Sequence, residues 1–207
     1  MSISGLFLVV FLLLHLATNM ALLISEEAYN KACEFMDTNI LIQIMVPVLA
    51  LGFVVHIAYA IIITLKNRTA RPVKYAVSSN AKASTWASRN MFVLGLIVLG
   101  FLVLHLMQFW YKMQFAHFVH GHGHANPYQL VSSTMAQPLY AVIYIVWIWA
   151  LWYHLSHGFW SGFQTIGVNN KIWIKRWQVV AKIYATVVCV GFAIIPIYFI
   201  VQRYLLS

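Results

Sequence analysis

Apolar residues run along this chain in five long blocks, roughly Ile3 to Ile24, Thr38 to Leu65, Ser88 to Met113, Ala136 to Gly162 and Trp177 to Val201, with shorter polar stretches between them. A helix crosses the hydrocarbon core of a bilayer with about 20 apolar residues, and each block is long enough. The pattern predicts an all-α membrane protein with five transmembrane helices in one bundle, a single domain over 1–207 with no second domain, low-complexity tract or repeat. Pro47 and Pro196 fall inside the second and fifth blocks, where neighbouring helices can satisfy the freed carbonyls and a local kink is expected. Pro138 falls near the start of the fourth, where its missing N–H costs nothing. The first block is apolar enough for a secretory leader. It lacks a basic start and a small-x-small cleavage site, so it is read as a spanning helix.

Composition agrees with the pattern. The chain is 62% hydrophobic and 8% charged, against about 25% charged in ordinary soluble domains. Its net charge of +9, from 13 Lys+Arg against 4 Asp+Glu, would point to nucleic acid in a soluble protein. In a membrane protein it sets orientation instead. Six bases (Lys66, Arg68, Arg71, Lys74, Lys82, Arg89) lie between the second and third blocks, and four (Lys171, Lys175, Arg176, Lys182) around the start of the fifth. The other two connections hold one base each, Lys31 and Lys112, and the first also holds all four acids, Glu26, Glu27, Glu34 and Asp37. Loops rich in Lys and Arg stay on the cytoplasmic side. The N-terminus is therefore expected in the cytoplasm and Arg203, with the C-terminus, outside.

Four histidines interrupt the apolar blocks: His15, His56, His105 and His154, one in each of the first four. Ionisable groups at membrane depth are rare, costly and usually functional. With orientation fixed, the 1.5 Å rise per residue puts His56 and His154 roughly 12 to 14 Å from the cytoplasmic ends of their helices, and His15 and His105 roughly 18 to 26 Å from theirs. Singly, each has an ordinary alternative in helix-to-helix hydrogen bonding. As two pairs at two depths on alternate helices, they match what two b-type haems require: one neutral imidazole nitrogen for the iron from each side of the porphyrin. Gly52, one turn from His56, and Gly100, five residues before His105, are places where a macrocycle could approach the backbone. His157, three residues from His154 and near the same face, is an alternative ligand or a partner for a quinone or a propionate. The two cysteines, Cys33 and Cys189, form no Cys-x-x-Cys-His motif, which excludes covalent c-type haem.

Ser4-Gly5-Leu6-Phe7 followed by His15-Leu16, the single histidines of the second and third blocks, and His154-Leu155-Ser156-His157-Gly158-Phe159-Trp160 with Gly167 beyond resemble the cytochrome b membrane-anchor subunit of succinate:quinone oxidoreductases, in its five-helix, two-haem form. The resemblance covers nearly the whole chain. It implies that His15 and His105 hold a distal haem and His56 and His154 a proximal one. It also implies flavoprotein and iron–sulfur partner subunits on the cytoplasmic face, and a bacterial cytoplasmic (inner) membrane in which menaquinone is the lipid-soluble partner. Electrons would pass between the iron–sulfur clusters and menaquinone through the two haems, with succinate and fumarate interconverted by the partners and not by this chain. An acid near the outer end of the second helix serves the quinol site in at least one fumarate reductase of this type. Glu34 and Asp37 occupy that region here, and surface hydration is their ordinary alternative.

Two features stand outside the resemblance. His117, His120, His122 and His124 lie within eight residues of one another between the third and fourth blocks, a spacing that could take zinc, copper or nickel. Arg89 and Lys182, at cytoplasmic helix ends, are candidate propionate partners, with snorkelling as the plainer role. Other functional classes fit part of the pattern: the cytochrome b subunit of a quinone-linked hydrogenase or formate dehydrogenase, and a transporter with a histidine-lined path and no haem.

Overall fold

A computed structural model describes residues 1–70, 85–115, 126–168 and 170–206. Among them there are seven α-helices and no strand: α1 (Ser2–Met20), α2 (Glu26–Thr38), α3 (Ile40–Thr69), α4 (Trp86–His105), α5 (Pro127–Met135), α6 (Pro138–Thr165) and α7 (Lys171–Leu205). A 3-10 turn, Ala21–Leu23, extends α1, and a π-helical segment, Leu106–Phe115, continues α4. Five segments are long and apolar enough to cross a membrane: Ser2–Leu23, Ile40–Thr69, Trp86–Gln114, Pro138–Thr165 and Lys171–Leu205. The protein is a multi-pass, all-α membrane protein.

Local chemistry fixes where the helices start. Asn39 caps α3 by accepting from the Leu41 N–H (3.0 Å), Thr85 caps α4 through the Ser88 N–H (3.1 Å), and Asn170 caps α7 through the N–H groups of Ile172 and Trp173. Each cap satisfies donors that the first turn leaves without a partner. The Asn170 cap corrects the expected start of the fifth helix: α7 begins at Lys171, six residues before Trp177, so Lys171, Lys175 and Arg176 ride on its first turns and not in a loop. At 35 residues α7 is longer than a bilayer needs. α3 and α7 run without a break through Pro47 and Pro196.

The first connection is not a polar loop. Ser25 caps α2 by accepting from the Ala28 N–H at 3.0 Å, and Glu26 and Glu27 sit in the first turn, where the helix dipole favours anions. Tyr29 and Cys33, one turn apart, bury the inner face of α2 in a cluster with Leu22, Phe109, Met135, Tyr144 and Phe199. α5 joins the same cluster, and side-chain amides tie it to α2. Asn30 donates to Asn126 Oδ1 (3.1 Å), and Asn126 and Gln129 both donate to Glu26 Oε1 (2.7 and 3.3 Å). The two short helices close one end of the bundle.

Within the bundle, α6 packs along α7, α4 and α1, while α1 also packs on α3 and α7. Small residues let α1 come close. A Cβ on Gly52 would meet the Phe7 ring at 2.8 Å, one on Gly191 would meet Leu16 Cδ1 at 2.8 Å, and one on Gly162 would meet Leu6 Cγ at 3.3 Å. Gly52 is thus filled by Phe7 of α1 and is not an open approach for a macrocycle, contrary to the expectation from sequence. Leu16, Ile148, Leu151, Leu155, Ala185, Val188 and Cys189 form the core where α1, α6 and α7 meet.

Candidate functional site

Taken around the bundle, α3, α1, α6 and α4 form four corners. Neighbouring corners pack (α3 on α1, α1 on α6, α6 on α4), whereas among the described residues α3 meets α4 only sparsely, with the Arg68 guanidinium 5.5 Å from the centre of the Phe92 ring, and the diagonal pairs α1 with α4 and α3 with α6 are likewise sparse. None of the residues of α3 is buried, although the helix runs for 30 residues. The interior between these four corners is where the histidines point.

His15 of α1 faces His105 at the end of α4, with ring centres 5.7 Å apart and planes at 89°. His56 of α3 faces His154 of α6, with ring centres 6.4 Å apart and planes at 73°. Each pair spans one diagonal of the square. A metal–imidazole bond is about 2 Å and the ring centre lies roughly 1 Å further back, so two imidazoles on opposite sides of one metal ion put their ring centres about 6 Å apart. Both spacings fit one metal between each pair. His157 lies elsewhere: its ring is edge-on to Trp160 at 5.1 Å, and its Nδ1 is buried without a hydrogen-bond partner. It is His154 that meets His56.

The surroundings of the two pairs differ. Aromatic rings wall the His15–His105 pair: Phe11 stacks on His15 (5.3 Å), Phe192 lies against its ring (5.5 Å), and Phe101 and Phe109 flank His105 (5.6 and 5.3 Å). Such a shell excludes water and lowers the local dielectric. The His56–His154 pair is bordered by glycine. A Cβ on Gly5 would lie 3.3 Å from His56 Cε1, and one on Gly95 would lie 3.7 Å from His154 Cε1. Gly100 is exposed and has nothing within 4 Å of where its Cβ would be.

Polar side chains not singled out by sequence reasoning touch three of the imidazoles. The Ser4 hydroxyl donates to the Met1 carbonyl (2.8 Å) and lies 3.5 Å from His56 Nδ1. Tyr144 Oη donates to Gln108 Oε1 (2.7 Å) and lies 3.5 Å from His105 Nδ1. Asn19 Nδ2 donates to the His15 carbonyl (2.8 Å) and lies 3.4 Å from His15 Nδ1. His154 Nδ1 is buried and has no hydrogen-bond partner among the described residues. A signal for Gln108 was present in the sequence, as an amide in an apolar block three residues after a histidine. Tyr144 carried none, because tyrosine is ordinary in a spanning helix.

The other candidates sit at the ends of the bundle. The Asp37 carboxylate accepts from Gln114 Nε2 and its carbonyl accepts from Gln43 Nε2, so this acid ties the end of α2 to the π-helical segment and to α3. Glu34 is exposed on α2, and Glu27 pairs with Lys31 on the surface at 2.6 Å. Arg89 is exposed on the first turn of α4 and Lys182 is exposed on α7. His117, His120, His122 and His124 lie outside the described residues. Among the described residues no three His, Cys, Asp or Glu side chains converge as a metal cluster. Each histidine pair, with two side chains, is below that number. Comparisons of the chain with family models, curated proteins and solved structures return no match.

Proposed function

We propose that this chain is the membrane anchor and electron-transfer subunit of a succinate dehydrogenase or fumarate reductase, holding two b haems. The observation that carries the reading is the placement of two histidine pairs on the two diagonals of one four-helix square, each at a spacing that suits a single iron. Cofactors in helical bundles are held this way, by inward side chains of facing helices. His15 and His105 would hold one haem, His56 and His154 the other. Haem would supply reversible one-electron chemistry between two stable oxidation states of its iron.

The chain's own residues bind, orient and insulate. The imidazoles give neutral nitrogen ligands, and the phenylalanines around His15 and His105 keep water from that pair. Gly5 and Gly95 leave room beside His56 and His154. The motifs from Ser4 to Phe7 and from His154 to Trp160 support the succinate:quinone class over other membrane cytochromes, since Ser4 and Gly5 sit against His56 and the segment from His154 lines the same pair. In this reading the basic face formed by Lys66, Arg68 and the first turns of α7 lies in the cytoplasm of a bacterial inner membrane. Flavoprotein and iron–sulfur partners dock there, and menaquinone reacts near the opposite end. Moving one charge across the bilayer is worth about 2.3 kcal/mol per 100 mV, so an outer quinone site couples turnover to the membrane potential unless protons follow.

A reduced-minus-oxidised spectrum of the purified protein with haem quantitation tests this directly. Two haems per chain are expected. Zero ends the reading in favour of a haem-free class such as a transporter, and a single haem removes one pair. Identification of the subunits that co-purify separates the succinate:quinone class from a hydrogenase or formate dehydrogenase anchor.

A further inference from the structure

The hydroxyl of Tyr144 has a single hydrogen, and the chemistry of its nearest partner assigns it. Gln108 Oε1, 2.7 Å away, is a carbonyl oxygen and can only accept, so the tyrosine donates to it. What remains on Tyr144 Oη is lone-pair density, and the next polar atom is His105 Nδ1 at 3.5 Å. With the tyrosine hydrogen spent on Gln108, a hydrogen bond across that gap has one available polarity, His105 Nδ1–H donating to Tyr144. A neutral imidazole with its proton on Nδ1 carries its lone pair on Nε2. Tyr144 is 4% exposed and Gln108 9%, so water does not compete for either group.

The opposite member of the pair is treated differently. Asn19 Nδ2, the polar atom nearest His15 Nδ1, is an amide nitrogen that donates to the His15 carbonyl. It offers hydrogens and no lone pair. The two imidazoles of the outer pair are thus unequal: one meets an acceptor at Nδ1 and the other does not.

We infer that Tyr144, aimed by Gln108, is a positioning residue of the outer haem site: it fixes His105 in the tautomer whose Nε2 faces the iron and makes that nitrogen the more basic ligand. The inference rests on the haem reading of the His15–His105 pair. Partners of this kind orient a ligating histidine and raise its basicity. A more basic ligand favours the oxidised iron, so the tyrosine holds the outer centre at a lower potential than the same pair would have without it.

The test is a redox titration of the purified complex, followed in the haem α-band, for the wild type, Tyr144→Phe and Gln108→Leu. The outer component is assigned as the one lost in His105→Ala. Tyr144→Phe keeps the ring and removes only the acceptor. It is expected to raise the potential of the outer haem while the inner one stays fixed. Gln108→Leu removes the acceptor that aims the tyrosine hydroxyl, leaves its lone pairs less well directed at His105 Nδ1–H, and is expected to shift the same component the same way by less. An unchanged or lowered outer potential in Tyr144→Phe overturns the inference, as does an equal shift of both haems. Should Tyr144→Phe lose the outer haem altogether, Gln108→Leu, which leaves the tyrosine in place, decides: an outer potential equal to that of the wild type overturns it. A wild type containing no haem overturns the proposed function, whereas two haems with unmoved potentials overturn this inference alone.

Discussion

At the scale of residues, four imidazoles in an apolar bundle are costly unless each has a partner. The structure divides them into His15 with His105 and His56 with His154. On the proposed two-haem reading, substitution of His56 or His154 by Ala is expected to remove one haem and spare the other, with the converse for His15 or His105, as counted by the pyridine haemochrome of the purified protein. His157 faces Trp160 and not His56, so His157→Ala is expected to retain both haems. Loss of a haem in His157→Ala with retention in His154→Ala would reverse the assignment on α6. Cys33 offers a second prediction at this scale. Burial in α2, reinforced by the charge of Asp37 and opposed by a hydrogen bond with Tyr29, pushes its thiol up to about 11. A raised thiol pKa keeps the unreactive protonated form through neutral pH, and the thiolate appears only as pH climbs toward that value. In a Cys189→Ala background, maleimide labelling at neutral pH is expected to be slow in the native membrane and rapid after denaturation in SDS. Fast native labelling would show that α2 does not pack as described.

At the scale of elements, close approach of α1 to three neighbours depends on glycine. Phe7 fills the space above Gly52, and a ring cannot yield as a flexible chain end does, so Gly52→Ala forces α1 and α3 apart. Overpacking of this kind costs about 1–3 kcal/mol. The expected result is a lower thermal midpoint for the purified protein, part of which returns when Phe7→Leu is added. Equal midpoints for the wild type and Gly52→Ala would show that the contact is slack. α2 and the start of α7 were the elements least legible in the sequence. Four acids made the first connection look like a solvated loop, although Ser25 followed by Glu26 and Glu27, with Tyr29 and Cys33 one turn apart, is the pattern of a capped amphipathic helix. The bases Lys171, Lys175 and Arg176 likewise hid two turns of α7, because hydropathy marks where a helix enters lipid and not where its hydrogen bonding begins.

At the scale of the whole molecule, five crossings place the two termini on opposite sides of the membrane. The basic connection after α3 and the basic first turns of α7 predict the N-terminus inside and the C-terminus outside. Reporter fusions that are active on one side only check this: an alkaline phosphatase fused after Arg203 is expected to be active, and one fused before Ser2 inactive. The reverse result would exchange the inner and outer histidine pairs and move the docking face.

The sequence by itself determined the class of molecule, because a continuous apolar block of about 20 residues crosses hydrocarbon as a helix and five blocks met that length. It also set the levels of the four histidines, because a helix converts residue number into height at a fixed rise. Rotation about the helix axis and the choice of neighbours follow no such rule. Only the packing of side chains decided that α1 and α6 stand between α3 and α4 in the square, and that Gly52 receives Phe7. It likewise decided that Tyr144 and Gln108 come together at His105 from two helices 36 residues apart in the chain. A residue's height is a property of its own helix, while its partners are a property of every helix packed around it.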